Sequence, residues 1–344
     1  MPERPSLPIA LLDEHPRWSD RLIAELRRRG LPFEKIDVSD HAFWPAARER
    51  RYSVLVNRVS PSAHTRGHAS SLFYALQALT YFEEIGIPVI NPPTSYRYET
   101  SKAAQALLME RLGLPYPRCA ILNRPGRILE LLPALRFPVL LKPNVGGSGA
   151  GIVRFDRPED LEEAVKRNAL NLGPDGTALL QEYLESEDGS IVRVEVLGGE
   201  FLYAIRIAVD PVAGFNLCPA DLCLAESQGE VPTQAAPGYC PADVSPAVSR
   251  KVERFDPPPS VIRDVLRLTG AAHIDVGGVE YFRSKRDGRL YYYDMNALSN
   301  FVADAPALLG FDPTERFADF IVAVATGAAE PVSRAAGRTP SARP

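Results

Sequence analysis

The chain has 344 residues, 45% of them hydrophobic and 24% charged, with a formal net charge of −4. That length holds two or three packed domains of ordinary globular composition. The mild acidity excludes a general nucleic-acid binder, which needs a basic face, and no apolar run approaches the roughly 18 residues of a membrane helix.

The first hundred residues alternate short apolar strands with helical patterns. Leu7 to Leu12 reads as a strand, Trp18 to Arg29 as a helix closed by Gly30, and Phe33 to Val38 and Tyr52 to Asn57 as further strands. Ser70 to Ile85 reads as an amphipathic helix closed by Gly86, before the strand Pro88 to Asn91. Such alternation implies a parallel sheet with helices on its faces. Asn91-Pro92-Pro93 is a strong breaker and marks a domain boundary, giving a first α/β domain over 1–92.

A second unit, 93–185, starts with a helix around Ser101 to Leu112 and continues through strands near Cys119 and Val139. The strand Ile152 to Phe155, the helix Pro158 to Asn168 and the strand Ala178 to Tyr183 follow. A third unit, 186–327, carries the long strands Ile191 to Leu197 and Glu200 to Val209, joined by the hairpin signal Gly198-Gly199. Residues 210–259, rich in Pro, Ala, Gly and Cys, read as a long surface insertion. The helix Val261 to Leu268 leads to a strand pair bearing Glu280 and Tyr293-Asp294-Met295-Asn296, with Lys285-Arg286-Asp287-Gly288 as the turn between them. Pro313 to Thr326 is the last helix, and 328–344 reads as a disordered tail. The start, Met1-Pro2-Glu3-Arg4-Pro5, lacks a signal-peptide pattern, and the four cysteines read as reduced thiols of a cytoplasmic protein. Cys218, Cys223 and Cys240 lack the fourth ligand and the paired spacing of a zinc site.

Three groups of residues carry chemistry. Lys142 ends an apolar strand and is followed by Gly146-Gly147-Ser148-Gly149-Ala150-Gly151. Glycines let backbone N–H groups approach an anion without Cβ clashes, and the lysine is placed to reach the same anion. The lysine precedes the glycines, so this is not a P-loop. Asp294 and Asn296 alternate with Tyr293 and Met295 along one strand and so share a face, with Glu280 on the neighbouring strand. One strand pair thus offers three oxygen ligands, a set that suits Mg²⁺. Gln181-Glu182-Tyr183-Leu184 is a strand running into a short link where backbone can meet a purine edge. Arg193 and Arg206, on half-apolar strands, need an acceptor such as a phosphate, a substrate carboxylate or an acidic neighbour. Arg58 follows a strand of the first domain, where α/β sheets place ligand loops, and reads as a clamp for a substrate carboxylate.

The order of these pieces resembles the ATP-grasp superfamily, most closely its RimK-like and glutathione-synthetase-like ligases, over roughly Asn91 to Ala325. The resemblance implies a Rossmann-like leading domain, followed by a two-lobed α+β ATP-grasp part with ATP between the lobes. By position, Lys102 and Lys142 match the two phosphate-binding lysines, Gly146, Gly147, Ser148, Gly149 and Gly151 the phosphate-covering loop, and Gln181 to Leu184 the adenine hinge. Glu280, Asp294 and Asn296 match ligands of Mg²⁺, a pair of ions for which Mn²⁺ can substitute. Arg193 matches an arginine at the γ-phosphate end, and Arg206 joins it as a catalytic candidate. Asn216 matches an asparagine that usually follows an arginine. The chain departs from the pattern at Ile191, where an acid contacting ribose is usual, at Gly214-Phe215 before Asn216, and at Ala297 to Phe301, where a Pro-Gly loop is usual.

The resemblance implies a carboxylate–amine ligase. A carboxylate attacks the γ-phosphate, ADP leaves, and an amine then displaces phosphate from the acyl phosphate to form an amide or peptide bond. Its partners would be a small-molecule acid and an amine, an amino acid or peptide, with homo-oligomers a habit of the family. Two rivals share the fold: a small-molecule kinase, and an ATP-binding protein without turnover.

Overall fold

The computed structural model describes residues 4–147, 149–209 and 251–336. Three sheets organise them. The first holds β1 (Ile9–Asp13), β2 (Phe33–Asp37), β3 (Val54–Asn57) and β4 (Val89–Ile90), all parallel, in the order β2-β1-β3-β4. Helices α1 (Asp20–Arg28) and α2 (Ala69–Glu84) provide the crossovers. β1 reads Ile-Ala-Leu-Leu-Asp and is buried throughout, as an inner strand of a parallel sheet covered on both faces must be.

Helices α3 (Pro93–Glu99) and α4 (Lys102–Arg111) lead to the second sheet. It joins β5 (Cys119–Leu122), β6 (Val139–Pro143), β7 (Val153–Phe155) and β8 (Ala178–Glu182), antiparallel, in the order β5-β8-β6-β7. The short helix α5 (Ile128–Leu131) and α6 (Pro158–Lys166) lie in its connections, and Ile128 and Leu161 join its core.

The third sheet is antiparallel, in the order β11-β10-β9-β12-β13, with β9 (Ser190–Leu197), β10 (Glu200–Ala208), β11 (Val252–Arg254), β12 (Val276–Arg283) and β13 (Leu290–Asn296). β9 and β10 turn through Gly198 and Gly199 at φ of 59° and 83°, the paired left-handed conformation that a two-residue hairpin loop requires. Helix α7 (Pro259–Ala271) covers one face of this sheet through Val261, Val265 and Leu268. The other face shares one apolar core with the first domain. Ile191, Ile205 and Ile207 join Ile9, Leu11 and Val56 there, beside α8 (Ala305–Leu309) and α9 (Pro313–Ala325).

Three readings of the sequence need correction. Helix α4, assigned to the middle unit, buries Leu108 and Met109 with Val192, Val194 and Met295, so it belongs to the core of the third sheet. The insertion does not run unstructured to Pro259, because Val252–Arg254 pairs with β10. The tail is not disordered throughout from Ala328: α10 (Val332–Ala336) is anchored by the Val332 N–H, which donates to Asp275 Oδ1 at 2.6 Å. Local composition carries no trace of these long-range partners, which is why pattern reading misassigns them. Cys218, Cys223 and Cys240 lie outside the described residues.

Asn91 is fully buried at φ 55° and ties the linker to the third sheet. Its Oδ1 accepts from the N–H groups of Asp275 and Val276, and its Nδ2 donates to the carbonyls of Val276 and Ala297. Its own N–H donates to Asp275 Oδ2 at 2.8 Å.

Candidate active site

A cavity of about 120 Å³ opens where the second and third sheets meet the first domain. Lys102, Lys142, Gly146, Gly147, Gly149, Arg193, Glu280, Asp294 and Asn296 line it. The two lysines come from different elements. Lys102 opens α4, whose cap is Ser101, the Ser101 Oγ accepting from the Ala104 N–H. Lys142 sits near the end of β6, buried, its Nζ 5.7 Å from the ring centre of Tyr293. Asn144 locks these elements together. Its Oδ1 accepts from Ser101 Oγ at 3.0 Å and the Ala103 N–H at 2.8 Å, and its Nδ2 donates to Asp175 at 2.6 Å.

The acids sit on β12 and β13, where Glu280 lies directly opposite Asp294 in the ladder. Lys102 Nζ donates to Asp294 Oδ1 at 2.8 Å, and Asn296 Nδ2 lies 3.4 Å from Asp294 Oδ2. Glu280 accepts from Tyr293 Oη at 2.6 Å and from Arg193 Nη1 at 3.2 Å. Arg193 Nε donates to Glu195 Oε1 at 2.6 Å, so this guanidinium lies between two buried carboxylates. A Cβ at residue 278 would come within 2.8 Å of Arg193 Nε, so the glycine there makes room for the pair. Gln105 holds β13 in register, its amide donating to Met295 O at 2.7 Å and accepting from the Met295 N–H at 3.1 Å.

Charges are unevenly compensated. Four carboxylates (Glu99, Glu195, Glu280 and Asp294) face three cations (Lys102, Lys142 and Arg193). Burial, with Lys102 nearby, pulls the Lys142 ammonium down to about 8. Burial works against the Lys102 charge as well, but its contact with Asp294 outweighs that and raises its pKa. Asp294 is lowered in turn, Lys102 outweighing its burial. Burial raises Glu280 despite Arg193. Glu99, also buried, is pushed up to about 7, and its carboxylate accepts from the Ala297 N–H beside Asn296.

Other expected residues lie elsewhere. Gly151 stands behind the loop at φ 72°, against Pro143. Gln181 and Glu182 end β8, Tyr183 and Leu184 begin the link to the third sheet, and none of the four lines this cavity. The Glu182 carboxylate is taken up by Arg286 Nη1 at 2.6 Å and the Arg136 N–H at 3.1 Å, and the Tyr183 N–H donates to Pro138 O. Arg206 is not brought to the site. It pairs with Val192 in the ladder and therefore faces the sheet side opposite Arg193, where it lies 4.2 Å from the ring centre of Phe255. Arg58 is buried against Ser299 O, Trp18 O and Asn300 Oδ1, and borders a neighbouring cavity. Ser148 and Asn216 lie outside the described residues. Sequence reading missed Glu99, Gln105, Asn144 and Glu195. Only Glu195 left a local signal, an acid in the apolar strand Ile191 to Leu197.

No family model matches the chain. It is 27% identical over 165 residues to a probable alpha-L-glutamate ligase 2 of Shewanella amazonensis, covering 44% of this chain and 54% of that protein. A probable alpha-L-glutamate ligase of Teredinibacter turnerae matches at 27% over 139 residues, 40% of this chain and 45% of that protein, so the chain spans about half the length of the curated relatives it matches. Among solved structures, the ATP-grasp ligase PsnB, complexed with a phosphomimetic variant of its minimal precursor, Mg and ADP, superposes with a TM-score of 0.63 at 18% identity, covering 94% of this chain and all of PsnB (100%). A D-alanine–D-alanine ligase from Bacillus anthracis superposes at 0.61 with 14% identity, covering 94% of this chain and 98% of that one. The chain has the ATP-grasp fold.

Proposed function

We propose that the chain is an ATP-dependent carboxylate–amine ligase that forms an amide or peptide bond through an acyl phosphate and releases ADP and phosphate. The observation that carries this reading is the convergence on one cavity of two lysines from separate elements, a glycine-rich loop, and an oxygen set from two paired strands. The PsnB likeness, solved with Mg and ADP, supports a nucleotide and magnesium here.

Lys102, Lys142 and the backbone of Gly146, Gly147 and Gly149 take the phosphates, and the link around Tyr183 and Leu184 takes the base. Two carboxylates and a carboxamide are hard oxygen donors, and no histidine or cysteine is among the described residues lining the cavity, so Glu280, Asp294 and Asn296 fit Mg²⁺. When bound, the ion would neutralise charge on the phosphates and favour attack at the γ-phosphorus.

The protein's own work is positioning. Lys102 neutralises Asp294 in the free site and is in reach of arriving phosphate. Arg193 is held rigid by Glu195 and Glu280 at the same wall. The substrate carboxylate attacks phosphorus, the bond from the γ-phosphorus to the β–γ bridging oxygen breaks, and ADP departs. The amine then adds to the acyl carbon and loses a proton, and phosphate leaves. Fixed cations around the transferring group lower the barrier at no cost in reorganisation. We assign the protein to the cytoplasm, with a small acid and an amine as partners; among the described residues no helix is long and apolar enough to cross a membrane.

The test is a product analysis with ATP, Mg²⁺ and paired acids and amines. ADP release that needs both partners, with a product whose mass is acid plus amine minus water, is expected. A phosphorylated product without an amide would contradict the reading.

A further inference from the structure

A second cavity, of about 160 Å³, adjoins the first and shares Trp18, Asn300 and Phe301 with it. Its walls are the segment leading into α1, the start of α1 itself, Arg58 after β3, the loop after β13, and Thr314 and Phe317 of α9. Three arginines border it: Arg17, Arg21 and Arg58. Arg17 lies 3.5 Å from the single acid of this wall, Asp20.

Arg58 is 97% buried, at 3% relative exposure, and its hydrogen-bond acceptors among the described residues are all uncharged. Its Nη1 donates to Ser299 O at 3.0 Å, its Nη2 to Trp18 O at 3.4 Å and to Asn300 Oδ1, while its Nε has no hydrogen-bond partner. Among the described residues no carboxylate forms an ion pair with it, Asp13 and Glu99 acting only at longer range. Burial accordingly pulls its pKa down to about 10. Arg21 at the rim makes one long hydrogen bond, 3.5 Å to Val302 O, and no ion pair among the described residues. The indole Nε1 of Trp18, on the wall common to both cavities, is also buried without a partner. A buried guanidinium normally has a counter-charge, because an isolated one is costly to desolvate. Here the cavity wall carries an excess of positive charge next to the phosphate-transfer cavity.

We infer that this second cavity holds a carboxylate of a substrate, one that is not itself activated, with Arg21 as its direct partner and Arg58 as the buried countercharge behind it. The inference rests on the ligase reading and names the substrate class for it: a small acid with a second carboxylate, or an amino acid whose own carboxylate is seated there. The shared wall at Trp18, Asn300 and Phe301 lets one molecule span both cavities. Its anchored carboxylate would lie among the arginines and its reacting group in the phosphate-transfer cavity.

Binding tests this without turnover. The full chain, saturated with Mg²⁺ and a non-hydrolysable ATP analogue, is titrated calorimetrically with glutarate, L-alanine and L-norvaline. The carboxamide counterparts glutaramide, L-alaninamide and L-norvalinamide serve as controls. Carboxylate probes should bind at least about tenfold more tightly than their amides, since a charge-assisted pair is worth about that much or more. Preference confined to glutarate would identify the acid as the anchored substrate; preference confined to the amino acids would identify the amine. Arg21→Ala, a change at an exposed position, should remove most of the preference and leave affinity for the ATP analogue within about twofold. Arg58→Lys keeps a charge but shortens and narrows the donor and should weaken the same probes. Equal binding of acids and amides, no binding of any probe, or a preference untouched by Arg21→Ala would overturn the inference. Arg21-dependent binding in a protein that never releases ADP with any acid and amine would keep the cavity assignment and refute the ligase reading instead.

Discussion

Nucleotide binding should draw a proton into this protein at alkaline pH. Lys142 holds its proton only up to about 8 in the free site, against 10.5 for an ordinary lysine, because it is buried and faces Lys102. That difference is a penalty of about 3 kcal/mol on its charge. A polyphosphate beside the ammonium removes the penalty, so the bound form keeps its proton where the free form has lost it. If the phosphates restore the ordinary value, uptake on binding is about a quarter of a proton at pH 7.5, about half at pH 8 and about nine-tenths at pH 9. Apparent affinity should fall about tenfold between pH 7 and pH 9 for the same reason. Calorimetric titration with the Mg²⁺ complex of a non-hydrolysable analogue, in HEPES and in Tris, gives the uptake from the difference in heats. Lys142→Arg keeps the charge and cannot titrate, so the pH-dependent uptake should vanish in it. Uptake that does not grow with pH, or that survives in Lys142→Arg, would refute the placement of Lys142 against the phosphates.

Asp294→Ala or Asn296→Ala should abolish turnover and weaken Mg²⁺-nucleotide binding while thermal unfolding stays cooperative; normal activity in either would remove the metal assignment. Gln105→Ala leaves both backbone groups of Met295 without a buried partner and should cost about 1–3 kcal/mol in denaturant unfolding. Asn91→Ala removes four buried side-chain hydrogen bonds at a positive-φ residue and should cost more than Gln105→Ala. Burial raises both Asp275 and Glu99 to about 7, so between pH of about 5 and 7 the folded chain holds protons that the unfolded chain has released. Stability from these two groups is therefore greatest below that window and declines as pH rises to 7; unfolding free energies at pH 5.5 and 7.5 should show this, with a shallower decline in Glu99→Gln.

The sequence shows the strands because their apolar runs and turn residues are local signals. Gly198-Gly199 and the Lys285 to Gly288 turn both sit where the pattern places them. The alternation along Tyr293 to Asn296 was enough to put Asp294 and Asn296 on one face, and the ladder sets Glu280 opposite. The domain packing was not legible. Nothing near Leu108 or Met109 tells α4 to bury itself under the third sheet, and nothing near Val332 announces Asp275. Arg206 misled because a strand arginine gives no clue to its face until its register is known, and that register sets it opposite Val192. Arg58 follows β3, where the pattern places it. Its burial among carbonyls, with no carboxylate of the described residues in contact, appears only when the Ser299 to Phe301 loop is brought against it. Glu99 and Asn144 support the site from helices and loops whose neighbours are distant in the chain, so no spacing rule reaches them.

The central claim is acyl-phosphate chemistry, and hydroxylamine trapping tests it most directly. The chain is incubated with ATP, Mg²⁺ and a panel of carboxylic acids, amino acids and dipeptides, with hydroxylamine as a small uncharged nucleophile. Hydroxamate formed from one acid, in step with ADP release and lost in Asp294→Ala, is the predicted result. ADP release that tracks a phosphorylated acceptor, with no hydroxamate from any acid, would contradict the account.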